Sequence, residues 1–108
     1  VGVTEAEAKE HGLSIEVGRF PMAASGKARA EGEALGFVKI LSESGTGKVV
    51  GGVIAGPHAS DLIHEIALAV EAEIGVDRVA EMIHAHPTLA EAVAEASEAV
   101  RGLSVHSL

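Results

Sequence analysis

The residues with chemical potential are concentrated in one short stretch, His84-Ala85-His86-Pro87-Thr88-Leu89-Ala90-Glu91. Two histidines stand before a helix start, and a carboxylate follows one turn inside it. Proline disfavours helix at the residue before it, so His86 sits outside the helix. Thr88 and Glu91 have the spacing of a capping box, with a hydroxyl at the cap and a carboxylate three residues on. That geometry lets Glu91 accept a hydrogen bond from one ring N–H of His86, which fixes the tautomer and aims the other nitrogen outward. An oriented imidazole of this kind is a general acid/base.

The pair has no nucleophile beside it. The chain contains no cysteine, which removes a thiol nucleophile, a disulfide framework and thiolate metal sites together, and which fits a cytoplasmic protein. No serine lies in a strand-turn-helix elbow. Gly45-Thr46-Gly47-Lys48 lacks the spacing of a phosphate loop and reads as a hairpin turn, and Gly51-Gly52 is no dinucleotide fingerprint. His84, His86 and Glu91 could together offer zinc two imidazoles and a carboxylate, but the H-x-H spacing into a helix start is a weak ligand pattern. The remaining class is a structural interaction module. Alone, the chain is expected to be inactive, as half of a site completed elsewhere.

The elements that position this stretch are legible in outline. Val1-Gly2-Val3 reads as a strand end. Thr4 to Glu7 is a first capping box, opening a helix to about His11, with Gly12 as its stop. The alternation of residues 14–20 predicts a half-buried strand ended by Pro21. Residues 22–34 read as a small-residue loop with one helical turn. Residues 35–41 and 48–55 read as a hairpin around the glycine turn at 44–47, and Gly51-Gly52 within it marks a bulge or a close backbone contact. Residues 59–74 form a helix with an apolar face so wide that Leu68 interrupts its polar side. One side of it would meet the sheet and the other a second subunit. Gly75 is expected to close that helix, and Asp77 to cap a short one through Ile83. The last helix runs from Thr88 to about Val100, before Gly102 and a loose tail. Strands followed by helices predict an α+β domain, an antiparallel sheet packed with helices.

Length and charge set further limits. The 108 residues, 47% of them hydrophobic, suit one domain with a real core. The net charge of -8 disfavours a phosphate backbone as partner. With two phenylalanines and no Tyr or Trp, there is no platform for stacking bases. No apolar run is long enough for a membrane helix.

The segment HAHPTLAEA at 84–92 resembles the signature HAHPTLSEA of dihydrolipoamide dehydrogenases, members of the pyridine nucleotide-disulfide oxidoreductases. VGVTEAEAK at 1–9, GRFPMAASGKARA at 18–30, GFVKIL at 36–41 and VVGGVIAGPHASDLI at 49–63 resemble the same family in the same order. Mercuric reductases carry a C-terminal cysteine pair that is missing here. Glutathione reductases share the HPT…E core without the preceding His-Ala, so His84-Ala85 favours the lipoamide branch, with a glutathione reductase-like enzyme as the alternative.

The resemblance implies that residues 1–108 are a single C-terminal dimerisation domain, with FAD- and NAD-binding domains and the redox-active cysteines upstream. It implies a homodimer whose sites lie across the subunit boundary, with FAD and NAD as cofactors of the whole enzyme and none held by this part alone. His86 would be the catalytic acid/base and Glu91 its orienting partner, with the backbone of His86 and Pro87 near the flavin of the other subunit. His84 is expected to have a structural role near the site. An acidic surface could dock the subunit-binding domain of a lipoyl acyltransferase.

Overall fold

The computed structural model describes residues 1–25, 35–86 and 88–100. The elements run α1 (Glu5–Glu10), β1 (Ile15–Pro21), a 3-10 turn (Met22–Ala24), β2 (Phe37–Glu43), β3 (Val49–Ala55), α2 (Ala59–Glu71), α3 (Val76–Glu81) and α4 (Glu91–Val100). The three strands form an antiparallel sheet in the order β1-β2-β3, and the domain is α+β as the residue pattern predicts. Among the described residues, no helix is long and apolar enough to cross a membrane.

The register explains where the core lies. Gly18 pairs with Ile40 and Ile40 with Gly52; Phe20 pairs with Val38 and Val38 with Ile54. Side chains alternate between the faces of a sheet, so these two rows share one face. Phe20, Val38 and Ile40 join Ile66 and Ala69 of α2, Val76 and Val79 of α3, and Ala92, Val93 and Ala96 of α4 in one buried cluster. The three helices therefore cover that face.

Two glycines let the helices come close. A Cβ on Gly18 would stand 2.0 Å from the carbonyl oxygen of Ala96 in α4, and one on Gly52 would stand 2.7 Å from Cγ2 of Ile66 in α2. The first obstacle is backbone and cannot rotate away. Gly18→Ala should cost about 3 kcal/mol, the scale of overpacking in a dense core. The check is the midpoint of urea unfolding. A midpoint unchanged from the parent protein would show that α4 can move aside freely.

The opposite face carries α1. Thr4 and Glu7 form the full reciprocal capping box, and Gly12 follows at φ +69° as the expected stop. Lys39 of β2 pairs with Glu5 of α1. Val1 to Val3 run antiparallel to β3: Val3 N–H donates to Val50 O at 3.0 Å, and Gly52 N–H donates to Val1 O at 3.0 Å. Both readings of the Gly51-Gly52 pair hold. The β2–β3 register slips opposite this stretch, where Leu41 pairs with Gly51 but Ser42 with Val49. A Cβ on Gly51 would also meet Val3 O at 2.2 Å.

Several element ends differ from the sequence reading. β1 includes Pro21, which pairs with Phe37 at the edge of the sheet. β2 starts two residues late, because Gly36 turns at φ +105° and leaves Leu35 outside the ladder. α2 ends at Glu71 rather than Ile74. Its stop is Glu73 at φ 54°, with Ile74 N–H donating to Ala69 O at 2.9 Å and Glu73 N–H to Val70 O at 3.3 Å. This is a Schellman end with glutamate in the place glycine normally takes. Gly75 is instead the extended N-cap of α3, and Asp77 lies in the first turn of that helix rather than at its cap. Residues 26–34, with Lys27 and Arg29, and the tail at 101–108 lie outside the described residues.

Candidate active site

Glu91 is placed by helix packing. It is the first residue of α4, and Ala92 and Val93 directly after it are buried in the core. The helix start is thereby fixed against the sheet. Before it, residues 88–90 form a tight turn in which Ala92 N–H donates to Leu89 O and Val93 N–H to Ala90 O, both at 3.0 Å.

This differs from the predicted capping box in one half. Glu91 does reach back: Thr88 N–H donates to its Oε1 at 2.9 Å. The Thr88 hydroxyl, however, donates to Ala85 O at 2.6 Å and ties the turn to the preceding chain. Glu91 thus begins the helix rather than sitting a turn inside it. A carboxylate at that point also faces the positive end of the helix dipole.

His86 and Glu91 meet. The imidazole Nδ1 lies 3.1 Å from Oε1 and 3.0 Å from Oε2 of Glu91. An ionised carboxylate only accepts, so Nδ1 carries the proton of a neutral ring and Nε2 is left as the acceptor. The His86 side chain is 81% exposed and Glu91 35%, so the carboxylate sits behind a ring that points outward. The Glu91 carboxyl titrates below its ordinary range. The Thr88 N–H bond is the main cause, followed by the bond from His86, against a small opposing effect of burial.

That shift has a pH consequence. A carboxyl whose folded pKa is depressed contributes stability above its unfolded pKa and loses it as pH falls through the folded value. Glu91→Gln keeps an oxygen acceptor for Thr88 and His86 but removes the charge. The parent protein should therefore be the more stable of the two at neutral pH, with the gap closing as pH falls through the carboxylate range. Thermal midpoints of both proteins across pH 3 to 7 give the test (about the range over which carboxylates titrate). A gap independent of pH would contradict it.

His84 behaves differently. Its side chain is 6% exposed, and Nε2 lies 2.6 Å from Oε2 of Glu65 in α2. Nδ1 lies 3.0 Å from Met82 O. His84 and His86 are therefore engaged with different carboxylates, and among the described residues no three His, Asp or Glu side chains are grouped to hold a metal ion. Glu65 escaped the sequence reading. It lies 19 residues before His84 on the polar side of a helix, and no local pattern links the two. Pro87 lies outside the described residues.

Beside His84, α2 and α3 form an apolar groove of about 530 Å³, lined by Leu68, Ala69, Ile74, Val79 and Met82 among others. Leu68 is 64% exposed, Met82 51% and the adjoining Ile83 95%. This is the uncovered side of the wide apolar helix.

The class defined by these features is a small α+β domain with an oriented imidazole at its surface and an uncovered, mainly apolar groove between α2 and α3. Residues 1–97 match the pyridine nucleotide-disulphide oxidoreductase dimerisation domain, and the chain belongs to that family. It is 47% identical over its full length to the dihydrolipoyl dehydrogenase of Haloferax volcanii, covering 23% of that protein. It is 46% identical over 98% of its length to a dihydrolipoyl dehydrogenase of Bacillus subtilis, again covering 23%. Among solved structures, LpdA of Mycobacterium tuberculosis superposes with a TM-score of 0.85 at 33% identity, over 91% of this chain and 21% of that one. The flavoprotein disulfide reductase RclA of Escherichia coli shares the fold, with a TM-score of 0.86 at 24% identity over 91% of this chain and 22% of that one. The chain thus spans about a quarter of the length of these relatives.

Proposed function

We propose that this chain is the dimerisation domain of an FAD-dependent dihydrolipoamide dehydrogenase, and that it supplies His86 and Glu91 as the acid/base pair of the partner subunit's redox site. The observation that carries the reading is the His86–Glu91 pair, with Nδ1 on the carboxylate and the ring exposed.

The chemistry calls for such a base. A free thiol has a pKa of about 8.5 and is mostly protonated at neutral pH, while the thiolate is the nucleophile. Nε2 of His86 takes the proton from one dihydrolipoamide thiol. The resulting thiolate attacks one sulfur of the enzyme's disulfide, forming a new S–S bond as the old one breaks and the other sulfur leaves as a thiolate. The second substrate thiol then closes the lipoamide disulfide by displacing the first enzyme sulfur, and its proton passes to the departing sulfur, which leaves as a thiol. Glu91 holds the tautomer throughout and stabilises the imidazolium that forms.

The residues present fit a flavin carried by a neighbouring subunit. The stretch Met82–His86 is exposed apart from His84, which leaves His86 open to a covering surface. A flavin bound there would supply the two-electron relay between the reduced sulfurs and NAD.

Association is part of the same reading. The groove between α2 and α3, with Leu68, Met82 and Ile83 at its rim, is the surface that a second copy would cover to form a homodimer. The acidic net charge suits a basic partner such as the subunit-binding domain of a lipoyl acyltransferase. The lack of cysteine in this part suits a reducing cytoplasm.

The deciding experiment is His86→Gln in the full-length protein, assayed for turnover with dihydrolipoamide and NAD. Turnover close to that of the parent protein would end the acid/base reading.

A further inference from the structure

We propose that Glu65 and His84 form a positioning pair that ties the His86 loop to helix α2 and so sets where the His86 imidazole stands. The proposal rests on the acid/base reading of His86.

The loop from Met82 to His86 has no ladder or helix to hold it. Helix α3 ends at Glu81, and Met82 is already extended at φ -64°, ψ 139°. Among the described residues from 81 to 86, His84 alone is not exposed. Its ring is almost entirely covered, and both nitrogens face oxygen acceptors. One is the carboxylate of Glu65 at 2.6 Å, and the other is the loop's own carbonyl at Met82, 3.0 Å away. The first contact fastens the loop to α2, and the second fixes the bend of the loop itself.

The attachment at the other end of the loop is separate. Thr88 is bound to Ala85 O through its hydroxyl and to Glu91 through its N–H. His86 thus lies between two anchors. Glu91 and Thr88 define its far side from α4, and His84 with Glu65 defines its near side from α2. If the near anchor is released, the loop keeps only the α4 contacts, and the ring of His86 is free to swing on a chain held at one end. His84 also contributes a minor electrostatic effect at Glu91, as expected of a ring close to the pair.

Displacements of about 1 Å at a reacting group can cost up to a hundredfold in rate. In the full-length protein, Glu65→Ala and His84→Ala should each lower kcat with dihydrolipoamide by about tenfold, with KM within about twofold of the parent value, and the double variant should lose no more than either single one. Glu65→Gln retains an oxygen acceptor for Nε2 and should recover most of the loss. The discriminating measurement is the same substitution in the His86→Gln background. With no acid/base to position, Glu65→Ala should cause no further loss there. An equal loss in both backgrounds, or near-parental turnover of Glu65→Ala, would overturn the proposal.

A second readout does not depend on the acid/base reading. In the parent protein, ¹⁵N-histidine NMR should show His86 as the Nδ1–H tautomer, and Glu65→Ala should move it toward a mixture of tautomers. If His86→Gln leaves turnover intact, the acid/base reading fails, and the tautomer shift alone decides the positioning pair. An unchanged His86 signal in Glu65→Ala would then refute it.

Discussion

His86→Gln in the full-length protein should lower turnover of dihydrolipoamide by about 10² to 10⁴-fold, the range supplied by a positioned general acid/base. Glutamine fills a similar volume and can donate to Glu91, so the loop and the helix start should survive. What is lost is the lone pair at Nε2 and the charge that forms there. The loss should shrink when the assay pH approaches the substrate thiol's own pKa, since solvent then supplies the thiolate. Glu91→Gln should cost less. A neutral amide still orients the ring but no longer stabilises the imidazolium, so the effect falls mainly on kcat. If Glu91→Gln proved more damaging than His86→Gln, the carboxylate and not the imidazole would be the group that matters.

Leu68→Glu should weaken self-association of the full-length protein by about a hundredfold or more, measured by sedimentation equilibrium. Leu68 is 64% exposed on a helix whose other side is buried against the sheet. Its removal from water in a dimer would contribute on the order of 2 kcal/mol. A glutamate at that place adds the cost of desolvating an unpaired charge. The groove it would stand in is lined by Glu65 and Glu81 as well as Arg78, so the desolvation cost is the main effect. The fold itself should be indifferent, because the position faces outward. Thermal stability of the dissociated variant, compared at matched concentration, separates the two effects. An unaltered association constant would place the dimer surface elsewhere on the domain.

The two halves of the site differ in how far the sequence discloses them. His86 and Glu91 are legible because proline, threonine and a carboxylate at short spacing leave few local conformations. The bond from Thr88 N–H to the Glu91 carboxylate is a matter of neighbouring residues. The α+β layout is legible for the same reason, through alternation in the strands and apolar periodicity in α2. Glu65 is not legible. A glutamate on the polar side of a helix has the appearance of a solvated residue, and only the folded path of the loop after α3 brings His84 to it. The end of α2 was hidden differently. Gly75 has the residue type of a stop, yet Glu73 makes the left-handed turn. The half-buried Ile74 at the next position packs against the core and supports the Schellman end, and Lys48 lies 3.3 Å from the Glu73 carboxylate. The exchange of roles at Thr88 was hidden as well. Its hydroxyl has two candidates, a helix N–H and the carbonyl of Ala85, and the sequence cannot rank them.

The contact between Gly18 and α4 reaches further than stability. The carbonyl of Ala96 rests in a notch that exists because β1 lacks a side chain at that point. A helix seated in a notch cannot slide along its axis, and one residue of slippage amounts to about 1.5 Å. Such a slip would carry the carboxylate of Glu91 out of reach of His86 and Thr88 together. The alignment of the imidazole is therefore indexed mechanically by a residue 68 positions away in the chain, as a detent fixes the travel of a shaft. Tolerance at the Glu91 end of α4 is set at its middle, by an absence of atoms.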